Sequence, residues 1–218
     1  MSTILQFIDR VSFLAAMPAI VGLFIVLSVL MISRAWQTQV LGMVVLYLLV
    51  GLLNTRVIRP EVALIKALIG WLICLTFYVT GRYLDEQGGR GKKSLVEPRQ
   101  GWRPFLAADV PLRLLVVLAV LVIAYAGSLT FPLRQVPGDI NLACYLLVVG
   151  GLFLAGMSEE PLRVGLGLLI FLAGFELFFG ALEPSLVVVG LLGATGFLIT
   201  LAVTFMAVTH AAAGEERP

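Results

Sequence analysis

From Val11 to Ile32 the chain runs for 22 residues without a charge, and comparable stretches recur to its end. A helix rises 1.5 Å per residue, so about 20 such residues match the hydrocarbon thickness of a bilayer. Predominantly apolar runs cover Val11–Ile32, Trp36–Leu53, Pro60–Thr80, Val110–Thr130, Leu142–Met157, Leu162–Leu182 and Leu186–His210. They predict an all-α fold, a polytopic integral membrane protein of about seven transmembrane helices. Only 13% of the residues are charged and 60% are hydrophobic, against about 25% charged in an ordinary soluble domain. Such a chain cannot clothe a water-soluble globule, which excludes a soluble enzyme. The first run, preceded by Arg10, is long enough to span and stay rather than be cleaved as a signal.

The charge pattern divides the chain. Residues 1–82 read as an N-terminal three-helix membrane unit, 83–108 as a cytoplasmic loop and 109–131 as the fourth transmembrane helix. A second three-helix unit follows over 139–211, with a polar tail at 212–218. Pro60 suits a helix start, where the missing N–H costs nothing. The stretch Gly81–Ala108 gathers charges of both signs around Gln87-Gly88-Gly89-Arg90-Gly91, and reads as the one loop with freedom of its own. Its default role is a solvated connector, its alternative a platform for a cytoplasmic partner. The links Ser158–Pro161 and Glu183–Ser185 are so short that the last three helices must be antiparallel neighbours.

Lys/Arg asymmetry sets the expected orientation. Arg34, Arg82, Arg90, Lys92, Lys93, Arg99, Arg103, Arg163 and Arg217 fall on one side; Arg10, Arg56, Arg59 and Arg134 fall on the other. This puts the long loop and the C-terminus in the cytoplasm and the N-terminus outside. Arg113, near the start of the fourth span, can snorkel to the interface. An offset of 124 residues pairs Pro60 with Pro184 and Thr76 with Thr200, and sets Leu52 opposite Glu176; a duplicated three-helix unit is one reading of this, chance matching of apolar helices the other.

Two charges lie inside the spans. Glu176 has apolar neighbours on both sides, Leu168 to Phe175 and Leu177 to Phe179. A carboxylate at a helix centre costs about 2.5–3.5 kcal/mol on insertion scales. Apolar surroundings disfavour the anion, so holding a proton at neutral pH is within this group's chemistry, as a proton relay requires. The alternative is a carboxyl that bonds a neighbouring helix, worth about 0.6 kcal/mol. Lys66 lies about one and a half turns into the third span, where its stem can carry the ammonium to the interface, near Glu61 or a lipid phosphate. If the third and sixth helices pack together, Lys66 and Glu176 share a depth and can pair.

Gly165, Gly167 and Gly174 on the sixth helix, and Gly190, Gly193 and Gly196 on the seventh, are expected helix-packing positions, since small residues let backbones approach. Cys74 and Cys144 sit apart in apolar runs and read as buried hydrophobes, and the single His210 cannot make a metal site. No nucleophile–base pair, CxxC or haem-ligand pattern is present, so neither cofactor nor metal is expected and catalysis by this chain alone is not. The basic residues form no nucleic-acid-binding stripe.

Within Leu142–His210 a first helix, a short turn (Ser158-Glu159-Glu160-Pro161-Leu162-Arg163) and a second helix carrying Gly174-Phe175-Glu176-Leu177 follow one another. This stretch resembles the small three-helix subunits of the respiratory complex I superfamily. These are the K-type (chain 4L) subunit of NADH:quinone oxidoreductase, the Mrp antiporter C subunit, and the C-terminal half of hydrogenase-4 component E. Gly174 to Leu177 is similar to that family's Gly-Leu-Glu, whose glutamate lies on the proton path, and the overall length is nearest to hydrogenase-4 component E. The resemblance covers about a third of the chain. It departs from the family in lacking a second glutamate over Leu191–Thr204 and in placing Glu159 and Glu160 in a turn that is usually basic.

The resemblance implies a bacterial plasma-membrane subunit of a larger respiratory-chain or hydrogenase-4-like complex that aids proton or cation translocation. Glu176, and less directly Lys66, would stand on the proton path, and any redox centres would belong to partner membrane subunits. The alternatives are a structural or assembly subunit without an ion-transport role, and a stand-alone small-solute transporter.

Overall fold

The computed structural model describes residues 16–33, 35–57, 60–91, 109–131, 138–158, 160–182 and 186–215. Among these, every regular element is a helix: α1 (Ala16–Ile32), α2 (Trp36–Val57), α3 (Pro60–Gly91), α4 (Asp109–Thr130), α5 (Gly138–Gly156), α6 (Pro161–Leu182) and α7 (Leu186–Glu215). Five of them, α2, α4, α5, α6 and α7, hold stretches long and apolar enough to cross a membrane, while the described apolar part of α1, Pro18–Ile32, is shorter. In hydrocarbon no water competes for backbone groups, so the helix, which satisfies its own, is the form an apolar chain of this kind must take.

Two boundaries differ from the sequence reading. The third helix does not end near Gly81; it continues as one helix to Gly91. No proline interrupts Arg82 to Gly91, and extending a formed helix adds one hydrogen bond for each residue fixed, whereas starting a new one is costly. The glycines, at about 1 kcal/mol each, weaken that end without breaking it. Likewise α7 runs into the expected tail, as far as Glu215. The rest of the expected loop, 92–108, lies outside the described residues.

The helices form two rows. Within each, neighbours in sequence are neighbours in space: α1 on α2, α2 on α3, then α5 on α6 and α6 on α7. Across the rows each helix packs on its counterpart, α1 on α5, α2 on α6 and α3 on α7, while α4 closes one end against α5 and α1. The offset of 124 residues is thus also an offset of packing. Ala19 and Ala143, Leu23 and Leu147, Leu30 and Leu154, and Leu53 and Leu177 are identical and buried in both rows. Between α3 and α7 the register slips by one, so that Gly70 matches Gly193 and both are buried.

The closest approach is between α5 and α6. A methyl group on Gly151 would strike the backbone of Phe171 and lie 2.7 Å from the Gly167 carbonyl oxygen; one on Gly167 would strike the backbone of Ala155. A methyl on Gly174 would come within 2.9 Å of the Val148 nitrogen. Only hydrogen fits at these positions, and the two helices touch backbone to backbone. Elsewhere glycines receive side chains: Gly165 takes Val203, and Gly193 takes Ile69. Gly190, expected at a helix contact, instead faces open space.

Helix ends are finished by polar side chains from neighbouring helices, because the last carbonyls of a helix have no partner within it. Arg113 of α4 donates to the Ile32 carbonyl at 2.7 Å, and Arg163 of α6 to the Ser33 carbonyl at 2.9 Å. Both guanidiniums therefore close the C-terminus of α1, where a cation also suits the helix dipole. Arg163 is only 8% exposed, so this residue is a buried cap rather than a surface charge. At the opposite end Asn141 donates to the Ser128 carbonyl at 3.1 Å, joining α5 to the end of α4.

The glycine contact makes a direct prediction. Gly151→Ala should cost about 1–3 kcal/mol through overpacking, whereas Gly190→Ala should be neutral or stabilising through helix propensity. Thermal unfolding in mild detergent measures both; equal effects would contradict this packing.

Candidate functional site

Lys66 and Glu176 meet across the two rows. Lys66 stands in the second turn of α3, Glu176 in the second half of α6. The lysine Nζ lies 3.5 Å from the glutamate Oε2. It also donates to the backbone carbonyl of Glu176 at 3.3 Å. The side chains are 7% and 13% exposed. Lys66 therefore turns inward instead of snorkelling to the interface. An anion within reach of its four-carbon stem offsets the cost of an unpaired charge, and pairing is the usual state of charges inside membranes.

The two helices are not packed along their length; α7 lies against both, and α2 bridges α3 to α6. Their contact is made by the reach of Lys66. Tyr47 of α2 lies within electrostatic range of Glu176, and Cys144 of α5 within range of Lys66. The Tyr47 ring is seated on Gly70, where an added methyl would come 2.8 Å from ring carbon Cδ1. On α6, Phe175, Phe178 and Phe179 form a ring cluster beside Glu176, with centroids 5.2–6.4 Å apart. The pair thus sits in apolar and aromatic surroundings.

The geometry permits one simple chemical event. If a proton binds at Oε2, the ion pair is replaced by a neutral carboxyl, and the ammonium keeps its bond to the Glu176 carbonyl. Loss of the proton restores the pair. The backbone contact lets Lys66 hold its place in both states. A metal cation is poorly suited here, since at the same carboxylate it would face the ammonium.

Cys74 and Cys144 are buried and free, and among the described residues no cluster of His, Cys, Asp or Glu could hold a metal ion. The side chain of His210 lies outside the described set. Tyr47, and the capping role of Arg163, were not expected from sequence. The signal for Tyr47 was a phenol in the middle of an apolar span. For Arg163 it was a position two residues after the helix-starting Pro161, beside a turn too short to leave it in water.

An apolar groove of about 370 Å³ lies between α2 and α3, with Tyr47, Trp71, Cys74 and Tyr78 among its walls. A second cavity, about 30 Å³, lies by Arg113, Ser158 and Arg163, room for about one water. Comparison with known proteins gives no match: no family model, no curated protein and no solved structure is significantly similar to the chain. The site is therefore read from its own chemistry.

Breaking the pair from one side strands a buried charge, at about 3–5 kcal/mol, while replacing both partners with apolar residues is often neutral. Lys66→Met should therefore destabilise the protein strongly, and Lys66→Met with Glu176→Leu should recover most of the loss. A double-mutant cycle by unfolding in detergent measures the coupling; additive effects would show that the two side chains do not interact.

Proposed function

We propose that the chain is an integral membrane subunit of a larger complex and contributes to a proton or cation path, with any redox centres in partner subunits. One observation carries this reading: a carboxylate and an ammonium are paired, nearly out of contact with solvent, between two rows of apolar helices. Maintaining a buried pair is costly, and an apolar pair of similar volume would serve packing as well or better. A titratable group on a polar path gives the charges a use that packing does not.

All seven helices span the bilayer in this reading, with the N-terminus outside and the C-terminus in the cytoplasm, in accord with the Lys/Arg distribution. The ends of α1 and α5 and the starts of α4 and α6 meet around Arg113 and Arg163, an arrangement that favours regular alternation across the membrane. The resemblance of Leu142–His210 to the three-helix subunits of the complex I superfamily supports the same conclusion, with Glu176 in the place of that family's path glutamate. The membrane is bacterial and the complex of respiratory or hydrogenase-4 type. Residues around Gly81–Ala108 face the cytoplasm, where a partner can meet them.

Two measurements test the reading. In mild detergent the chain should migrate on native gels with larger membrane subunits, identified by mass spectrometry; recovery as a lone protein would favour a transporter. In vesicles containing the assembled complex, Glu176→Gln should reduce proton or cation movement by about tenfold or more, a loss of roughly 1.4 kcal/mol or more in transition-state terms. Full activity in that variant would leave the pair as structural glue and the chain as an assembly subunit.

A further inference from the structure

Between α2 and α3 the outer surface is cleft. The groove of about 370 Å³ runs beside the membrane-spanning stretch of α2, with Val44 and Leu48 on that side and Ala67, Trp71 and Leu75 on α3. Buried Gly70 and Cys74 form its floor, and the Tyr47 ring lies over Gly70. Trp71 is 75% exposed and Leu48 67%, so the rim faces whatever surrounds the bundle.

The shape selects an occupant. From Ala67 to Tyr78, the length lined by α3, is 11 residues of one helix, about 16 Å at 1.5 Å per residue. The volume spread over that length leaves a mean cross-section of about 20 Å², whereas a helix with its side chains is about 10–12 Å across and needs several times as much. A partner helix would rest on the rim; a single hydrocarbon chain can lie inside. The walls suit it, being apolar apart from two phenols and one thiol.

One end of the groove is marked by charge. The α3 face that lines it recurs at Ala67, Trp71, Cys74 and Tyr78, and the same register reaches Arg82 one turn further on, then Asp85. Tyrosine is a residue of membrane–water interfaces. Arginine next to it favours phosphate, which its planar fork can hold through two parallel N–H bonds. Cation first and anion beyond is the order that complements a phosphoethanolamine headgroup, whose phosphate adjoins the glycerol and whose ammonium lies further out.

We propose that the groove between α2 and α3 binds one phosphatidylethanolamine molecule from the leaflet on the Gly91 side. One acyl chain lies from Tyr78 to Ala67, the phosphate meets Arg82, and the ammonium extends towards Asp85. The site does not depend on the ion-path reading, and a purely structural subunit would have it too.

The experiment uses the full chain in phosphatidylcholine nanodiscs doped with phosphatidylethanolamine that carries a photoreactive diazirine in its acyl chain. Cross-links should concentrate on 40–48 and 67–78, and few should fall on the exposed α4 residues between Leu114 and Leu129, which lipid also bathes. Ala67→Phe, which fills the inner end, should lower groove labelling about tenfold through overpacking. Arg82→Ala should lower it about fivefold, the size of a good exposed ion pair. Unlabelled phosphatidylethanolamine should compete better than phosphatidylglycerol with the same chains. Labelling spread evenly over α4 and the groove, or groove labelling that survives Ala67→Phe, overturns the site; equal competition by phosphatidylglycerol overturns the headgroup assignment. Should Ala67→Phe fail to fold, the native thiols decide. Cys74 lines the groove, and Cys144, buried in α5, serves as the internal control. Phosphatidylethanolamine should slow the reaction of Cys74 with a lipid-soluble maleimide, and an unchanged rate overturns the proposal. Protection of Cys74 in the assembled complex after its lipid is stripped would assign the groove to a partner helix instead.

Discussion

The structure depends on the backbone contact between α5 and α6. In a bilayer, apolar surface gains little by leaving lipid for protein, so helices associate through close packing and hydrogen bonds rather than through expulsion of water. Gly151, Gly167 and Gly174 provide the closest packing available by removing side chains where the helices cross. That contact fixes α6, and α6 carries Arg163 in its first turn and Glu176 in its second half. One end of the helix closes α1 and the other receives Lys66. A wall made of backbone gives these two charged side chains a firmer footing than flexible side chains could.

Around that footing the two rows are similar in packing and unlike in chemistry. Counterpart helices bury corresponding positions, yet Leu52 stands where the second row has Glu176, and Val189 where the first has Lys66. One diagonal of the assembly is charged and the other is not. The repeated scaffold provides interlocking surfaces, and the differences between its copies give it direction. The charged crossing joins the first row to the second, so its state bears on how the rows sit together.

Much of this was legible in the sequence for a physical reason. Hydrocarbon imposes a length and a composition on every span, so predominantly apolar runs such as Leu162–Leu182 could be bounded to within a residue of α6. Glu176 and Lys66 stood out because charge is scarce there. What the sequence hid was direction: Lys66 was equally able to reach outward to lipid phosphate or inward to Glu176, and only the placement of α7 and α2 around it decides. Gly190 failed as a packing position for the same reason, since a helix shows glycine on any face and the neighbours choose which is covered. The end of α3 was misplaced because Gly88, Gly89 and Gly91 resemble a loop in composition, while the helix behind them was already formed.

The length of α3 has a mechanical consequence. It is one unbroken helix from Pro60 to Gly91, 32 residues in all, or about 48 Å from end to end. Up to the glycines that weaken its end, a rod of that kind is stiff in compression and torsion over a single molecule's dimensions. A push or twist applied where it emerges is delivered to Lys66 some 25 residues away, with little lost on the way. Its far end lies 11 residues beyond Thr80, so a body gripping it there holds a lever whose short arm is the ammonium.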